Sequence, residues 1–192
     1  VSVGQLVHVT SRDQVLAAAI RAIRHHGPDA TMDDIAAQAA VSKPIVYRMV
    51  GDRAALTVAL SEWLIDRIDA ATTRAREGTE SPRDQFRASI RAYLGTVHEH
   101  ADLFQFVNGG HSTALYQRLV ERSARSMVEL FAEARRSVGL DGEGAQTWAY
   151  SLVGALQTVT TMWQRDRFGE LEAVSEDVTR LMWDGLGVTL MA

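Results

Sequence analysis

With 192 residues, 46% of them hydrophobic, and no Cys, the chain is long enough for one medium or two small domains and carries neither a disulfide framework nor a thiol nucleophile. No apolar run approaches the ~18 residues of a membrane span and no basic start leads into an apolar block, so a soluble, unexported, cytoplasmic protein is expected. The net charge of −4 argues against indiscriminate nucleic-acid binding, but six cations against five anions through residue 60 leave +1 there and −5 in the remainder.

Residues 1–9 have no periodic pattern and no Arg or Lys, and are expected to form a mobile arm. Thr10 or Ser11 can cap a first helix running through His25, with Val15, Leu16, Ala19, Ile20 and Ile23 as its apolar stripe; Gly27-Pro28 stops it. Arg12, near its start, can reach a phosphate. Thr31 then precedes Asp33 and Asp34, a hydroxyl and two carboxylates at the positive end of a short helix ending near Ala39. Ile35, Ala36 and Ala39 keep its inner face thin enough for a second helix to lie close.

After a turn at Ala40-Val41, Ser42 is the next N-cap and Pro44 falls in a first turn where its missing N–H costs nothing. Val46 and Val50 turn inward at i, i+4, leaving Lys43, Ile45, Tyr47, Arg48 and Met49 for an outer face. A cation, a phenol and apolar wedges suit phosphate, sugar and thymine-methyl contacts, the dress of a recognition helix. The same tandem of capped helices occurs in helical domains that never meet DNA.

The stretch from about 12 to 60 resembles the TetR family of one-component transcriptional regulators, through Ile35-Ala36, Val41-Ser42, Tyr47, Arg53 and Leu56, with Lys43-Pro44 as a frequent variant. Three positions depart from the family pattern: Ala40 stands where Gly is usual, Met49-Val50 replaces His-Phe, and Arg53 replaces Lys. The resemblance implies an all-α protein, with a three-helix helix-turn-helix DNA-binding domain over 1–52, a connecting helix over 53–77 and a helical ligand-binding and dimerisation domain over 78–192. Candidate DNA contacts are Arg12, Thr31, Ser42, Lys43, Pro44, Ile45, Tyr47, Arg48, Met49 and Arg53.

Asp52 can cap the connecting helix from Arg53 to about Arg76, and Ser81-Pro82 opens the next, which runs to about His100. A short apolar segment, 101–107, precedes the break at Asn108-Gly109-Gly110; long helices follow over about 112–138, 145–167 and 175–191. Gly154, Ala155, Gly185 and Gly187 offer small surfaces on the last two, which the resemblance places in a homodimer interface. It also implies a pocket in this part of the chain, for which Tyr93, Phe104, Phe106, Met127, Phe131, Trp148 and Leu152 are candidates, with His98, His111 and Gln157 as polar anchors. Such an apolar lining suits an acyl, terpenoid or aromatic effector better than a sugar.

No Ser elbow and no phosphate-cradling Gly loop occurs, and His98, His100 and His111 lack regular ligand spacing, so no catalytic residue, metal or cofactor is expected. The expected function is a dimeric regulator, a repressor released from a pseudo-palindromic double-stranded DNA operator by an apolar small molecule. The alternative is a helical sequestering or partner-binding protein that no longer recognises an operator.

Overall fold

A computed structural model describes residues 11–79, 81–109, 113–166 and 168–185. Among them the regular structure is helical: α1 (Arg12–His26), α2 (Met32–Ala39), α3 (Lys43–Val50), α4 (Arg53–Arg76), α5 (Pro82–Glu99), α6 (Ala101–Asn108), α7 (Thr113–Ser137), α8 (Ala145–Asp166) and α9 (Leu171–Thr179), the last continuing into a π turn over Arg180–Asp184. The segment 1–9, His111, Leu186, Gly187 and Leu190 lie outside the described residues.

Two compact units result. The first runs through Trp63 and includes Asp102–Gly109; the second holds Leu64–Ala101 and the described residues beyond 112. This grouping differs from the division at residues 52 and 77. The first part of α4 and nearly all of α6 pack with the amino-terminal helices. Leu103, Phe104, Phe106 and Val107 are all buried, and an eight-residue helix this apolar on several sides needs cover. Its periodicity does not say from which unit that cover comes.

In the first unit α1 packs on α2 and α3, and α2 on α3. Val15, Ala18, Ala19, Ala22 and Ile23 of α1 are fully buried, as are Ile35, Val46, Leu56 and Leu60. Ala supplies much of the inner face of α1, which lets the short helices approach it closely. The buried hydroxyl of Ser61 donates to the Thr57 carbonyl one turn back, so it is satisfied within its own helix.

The core of the second unit joins Ile90 and Leu94 of α5, Ala124 and Phe131 of α7, Ala149, Leu152, Leu156 and Trp163 of α8, and Val174 and Val178 of α9. The Trp163 indole N–H donates to the Gly169 carbonyl at 2.7 Å and closes the turn into α9. That helix begins at Leu171, four residues before the expected start. Ser175, the expected first residue, lies inside α9, and its buried hydroxyl donates to the Leu171 carbonyl at 2.6 Å. Returning the hydroxyl to the carbonyl one turn back lets Ser sit inside the helix with its polar group satisfied.

Ala40 is the one described residue other than Gly with positive φ, at 54°. It ends α2 in the left-handed conformation: its N–H donates to the Ala37 carbonyl, and that of Val41 to the Ala36 carbonyl, both at 3.1 Å. This paired closure is a Schellman ending without its Gly. Left-handed backbone costs an L-residue roughly 1–2 kcal/mol, part of which Ala recovers by restricting the unfolded chain. Ala40→Gly is therefore expected to raise stability by about 0.5 kcal/mol, read as a higher urea midpoint at unchanged m; an unchanged or lower midpoint contradicts the strain.

Candidate nucleic-acid interface

Thr31 begins the interface by fixing where α2 starts. Its hydroxyl accepts from the Asp34 N–H at 3.2 Å, and its own N–H donates to the Asp34 carboxylate at 2.8 Å, a reciprocal capping box. The Thr31 side chain also donates to that carboxylate at 2.6 Å. These bonds from Thr31 lower the Asp34 pKa below its ordinary value. Thr31 thus caps α2 from an exposed position, with its hydroxyl bonded to Asp34.

Beyond the Ala40 turn, Ser42 caps α3 through its carbonyl, which accepts from Ile45 and Val46. Its side chain makes no capping bond, and Pro44 occupies the first turn. Val46 and Val50 are buried; Lys43, Pro44 and Arg48 are exposed, and Tyr47 is 43% exposed. Ile45 and Met49 are half-buried, flanking the exposed stripe rather than crowning it. The eight-residue helix therefore keeps two valines for the core and turns a phenol and two cations to solvent.

Lys43 donates to Asp33 of α2 at 2.8 Å, which raises its pKa. Both partners are exposed, and an ion pair of this kind adds little stability and yields readily to a stronger anion. The pair spans ten residues across the turn, and no helical spacing announces it. Arg12 stands exposed in the first turn of α1, whose Ser11–Gln14 capping box orders the helix start. Arg53 is different. Its Nη1 donates to the Ala30 carbonyl at 2.7 Å and its guanidinium carbon lies 4.5 Å from the centre of the Phe106 ring, contacts that the sequence pattern does not disclose.

The pocket candidates divide between the units. Phe104 and Phe106 belong to the first, with the reading helices, apart from the other five. Tyr93, Met127, Phe131, Trp148 and Leu152 gather in the second, on α5, α7 and α8. The Phe131 and Trp148 rings meet edge-on at 6.0 Å. Arg135 covers Trp148 with its guanidinium carbon 4.9 Å from the ring centre, and donates to the Asp141 carbonyl at 2.7 Å. A groove of about 350 Å³ beside Ala75, Thr79, Ala88 and Ala92 is lined by none of the seven candidates. Gln164, which the apolar periodicity passes over, is buried at 8% exposure with neither atom of its amide hydrogen-bonded.

Two helices joined by a tight turn, with a basic-aromatic outer face on the second, form a helix-turn-helix. The profile of bacterial regulatory proteins of the tetR family matches residues 15–60. The chain is 31% identical over 187 residues to the uncharacterized HTH-type transcriptional regulator Rv0472c of Mycobacterium tuberculosis, covering 93% of this chain and 78% of that protein. It is 24% identical over 183 residues to the HTH-type transcriptional activator FasR of Mycolicibacterium smegmatis, covering 91% and 82%. Among solved structures, a TetR-like transcriptional regulator from Rhodococcus sp. RHA1 superposes with a TM-score of 0.68 at 26% identity, covering 95% and 99%. The fold is shared at 17% identity by FadR from Bacillus subtilis in complex with stearoyl-CoA, with a TM-score of 0.72 and coverage of 90% and 98%. The chain belongs to the TetR family of transcriptional regulators, which bind DNA and are not enzymes.

The Thr31–Asp34 bonds carry a pH dependence. Asp34 ionises more readily in the folded chain, so its contribution is complete above the ordinary carboxylate pKa of about 4 and is lost as pH falls through the lower folded value. Thr31→Ala is expected to cost about 1 kcal/mol at neutral pH and to move acid unfolding, followed by circular dichroism, to higher pH. An acid midpoint identical to wild type would show that the box does not control it.

Proposed function

We propose that this regulator is a homodimer that binds a pseudo-palindromic operator and is released from it by an apolar effector carrying one polar group, which makes it a repressor. The observation that carries the DNA half is the outer face of α3, where Lys43, Tyr47 and Arg48 are exposed above a buried Val46-Val50 seam. Lys43 and Tyr47 fix register on phosphates, with Ser42, Pro44 and Arg12 beside the backbone; Arg48 reads a guanine edge, and Ile45 and Met49 border thymine methyls. A head of such low net charge depends on two copies spaced one duplex turn apart. Gly154 supports pairing through the last helices. Among the described residues a Cβ there would meet nothing within 4 Å, so no described contact accounts for a mid-helix Gly that costs about 1 kcal/mol. Leu181 on the π turn is 72% exposed. A DNA reader of this kind works in the cytoplasm; no helix among the described residues is long and apolar enough to cross a membrane.

For the effector half, an orphaned amide in a buried setting costs roughly 1–3 kcal/mol unless a partner arrives. Gln164 supplies such an amide in the unit that holds the Tyr93–Met127–Phe131–Trp148 cluster. An acyl chain ending in a carbonyl or thioester matches both features, and the stearoyl-CoA bound by the Bacillus subtilis FadR makes long-chain acyl-CoA the first probe. The activator FasR among the relatives favours a second reading, in which operator-bound protein raises transcription. In vitro transcription from the selected operator separates the two signs.

Selection from genomic fragments is expected to enrich one inverted repeat, bound by two chains; no enrichment supports the sequestering alternative. Tyr47→Ala is expected to weaken that binding at least tenfold, equivalent to about 1.4 kcal/mol, with the helical circular dichroism unchanged. Lys43→Gln should lower the slope of log K against log salt by roughly one. Wild-type affinity and slope in both variants would remove α3 from the interface.

Gln164→Leu is expected to raise the thermal midpoint of the free protein, because no orphaned amide remains, and to weaken its response to acyl-CoA. A lowered midpoint together with an unchanged response would show that the amide has another partner.

A further inference from the structure

Arg53 is exposed at the start of α4, yet its guanidinium is engaged within the first unit. Its Nη1 donates to the Ala30 carbonyl at 2.7 Å and its Nη2 to the Pro28 carbonyl at 3.5 Å. The guanidinium carbon lies 4.5 Å from the centre of the Phe106 ring. Ala30 and Phe106 are 1% and 3% exposed. One side chain at the start of α4 therefore touches two other segments of the first unit: the α1–α2 corner and α6. Ala30 directly precedes Thr31, whose capping box starts α2, so the position of its carbonyl governs where that helix begins.

The chemistry of the contact selects Arg. A guanidinium is planar, donates in its plane and offers its face to an aromatic ring, so one group can serve two carbonyls and lie against Phe106 together. A Lys ammonium carries the same charge but cannot combine an in-plane fork with a stacked face. A phosphate accepts either cation, Arg through a bidentate fork and Lys as a point charge, so a contact to phosphate alone keeps its share of the salt dependence when Lys replaces Arg.

We infer that Arg53 is a positioning residue of the DNA reader and not a phosphate ligand: it holds the α1–α2 corner against the start of α4 and, through Phe106, makes α6 a structural member of the reading head. The inference rests on the operator-binding reading only for its affinity readout. Its structural half is read without DNA.

The test uses the full chain with Arg53→Lys, Arg53→Gln, Phe106→Leu and the double Arg53→Gln/Phe106→Leu. Operator titrations across salt are expected to show about tenfold weaker binding in each single variant, Arg53→Lys included, with the salt slope of wild type retained. The double variant should be no weaker than the weaker single, since both changes cut one linkage. In DNA-free protein, amide exchange over residues 31–39 should quicken in Phe106→Leu, a change on α6, as well as in Arg53→Gln. The inference is overturned if Arg53→Lys binds like wild type while Arg53→Gln loses about one unit of slope, the behaviour of a phosphate ligand. It is equally overturned if exchange over residues 31–39 is unchanged in both variants. Should wild type bind no operator while the exchange still responds, the DNA-binding reading fails and the linkage stands.

Discussion

The geometry of the reader depends on the turn between α2 and α3. Four residues, Ala39 to Ser42, end one helix, reverse the chain and start another, and two backbone hydrogen bonds from Ala40 and Val41 fix that reversal. Ala40 accepts a left-handed backbone in exchange for them. With the turn fixed, α3 has little freedom in how it meets α1 and α2: Val46 and Val50 must go inward, and the position of Tyr47 and Arg48 on the opposite face follows from helical geometry. Strain of this kind persists only where surrounding structure determines it, and the buried Ile35, Val46 and Leu56 supply that surrounding.

Around this turn the scarce charge of the first part of the chain is divided by role. Lys43 is held by Asp33 in an exposed pair, a contact that solvent and salt weaken and that an incoming phosphate can replace. Arg53 is engaged by carbonyls whose position matters to α2 and by a buried ring on α6. Two cations that look alike in the sequence are thus separated by their partners: one facing an exposed carboxylate, the other facing backbone carbonyls.

The second unit follows a different logic. Its helices bury hydroxyls of Thr160, Ser175 and Thr179 by returning each to the carbonyl one turn back, so polar residues enter the core without orphaned atoms. Gln164 breaks that pattern, since its longer amide cannot be satisfied by its own backbone in the same way and both its polar atoms stand unbonded. The indole of Trp163, its neighbour in the chain, is paired to Gly169, so adjacent residues on α8 have different obligations.

Local chemistry was sufficient to determine helices, caps and the reading motif. Thr31 with Asp34, Ser42 with Pro44, and the Val46-Val50 spacing act over three or four residues, within reach of one helical turn, so their consequences are legible in order along the chain. The family pattern over residues 15–60 is local in the same sense. What tertiary structure decided are the partnerships across distance. Arg53 finds carbonyls 23 and 25 residues away and a ring farther still. The α6 segment finds its cover in the first unit, and Ser175 is drawn inside α9. Hydrophobic periodicity says that a face must be buried and charge says that a group wants a partner, but neither force carries an address; only the packed chain supplies one.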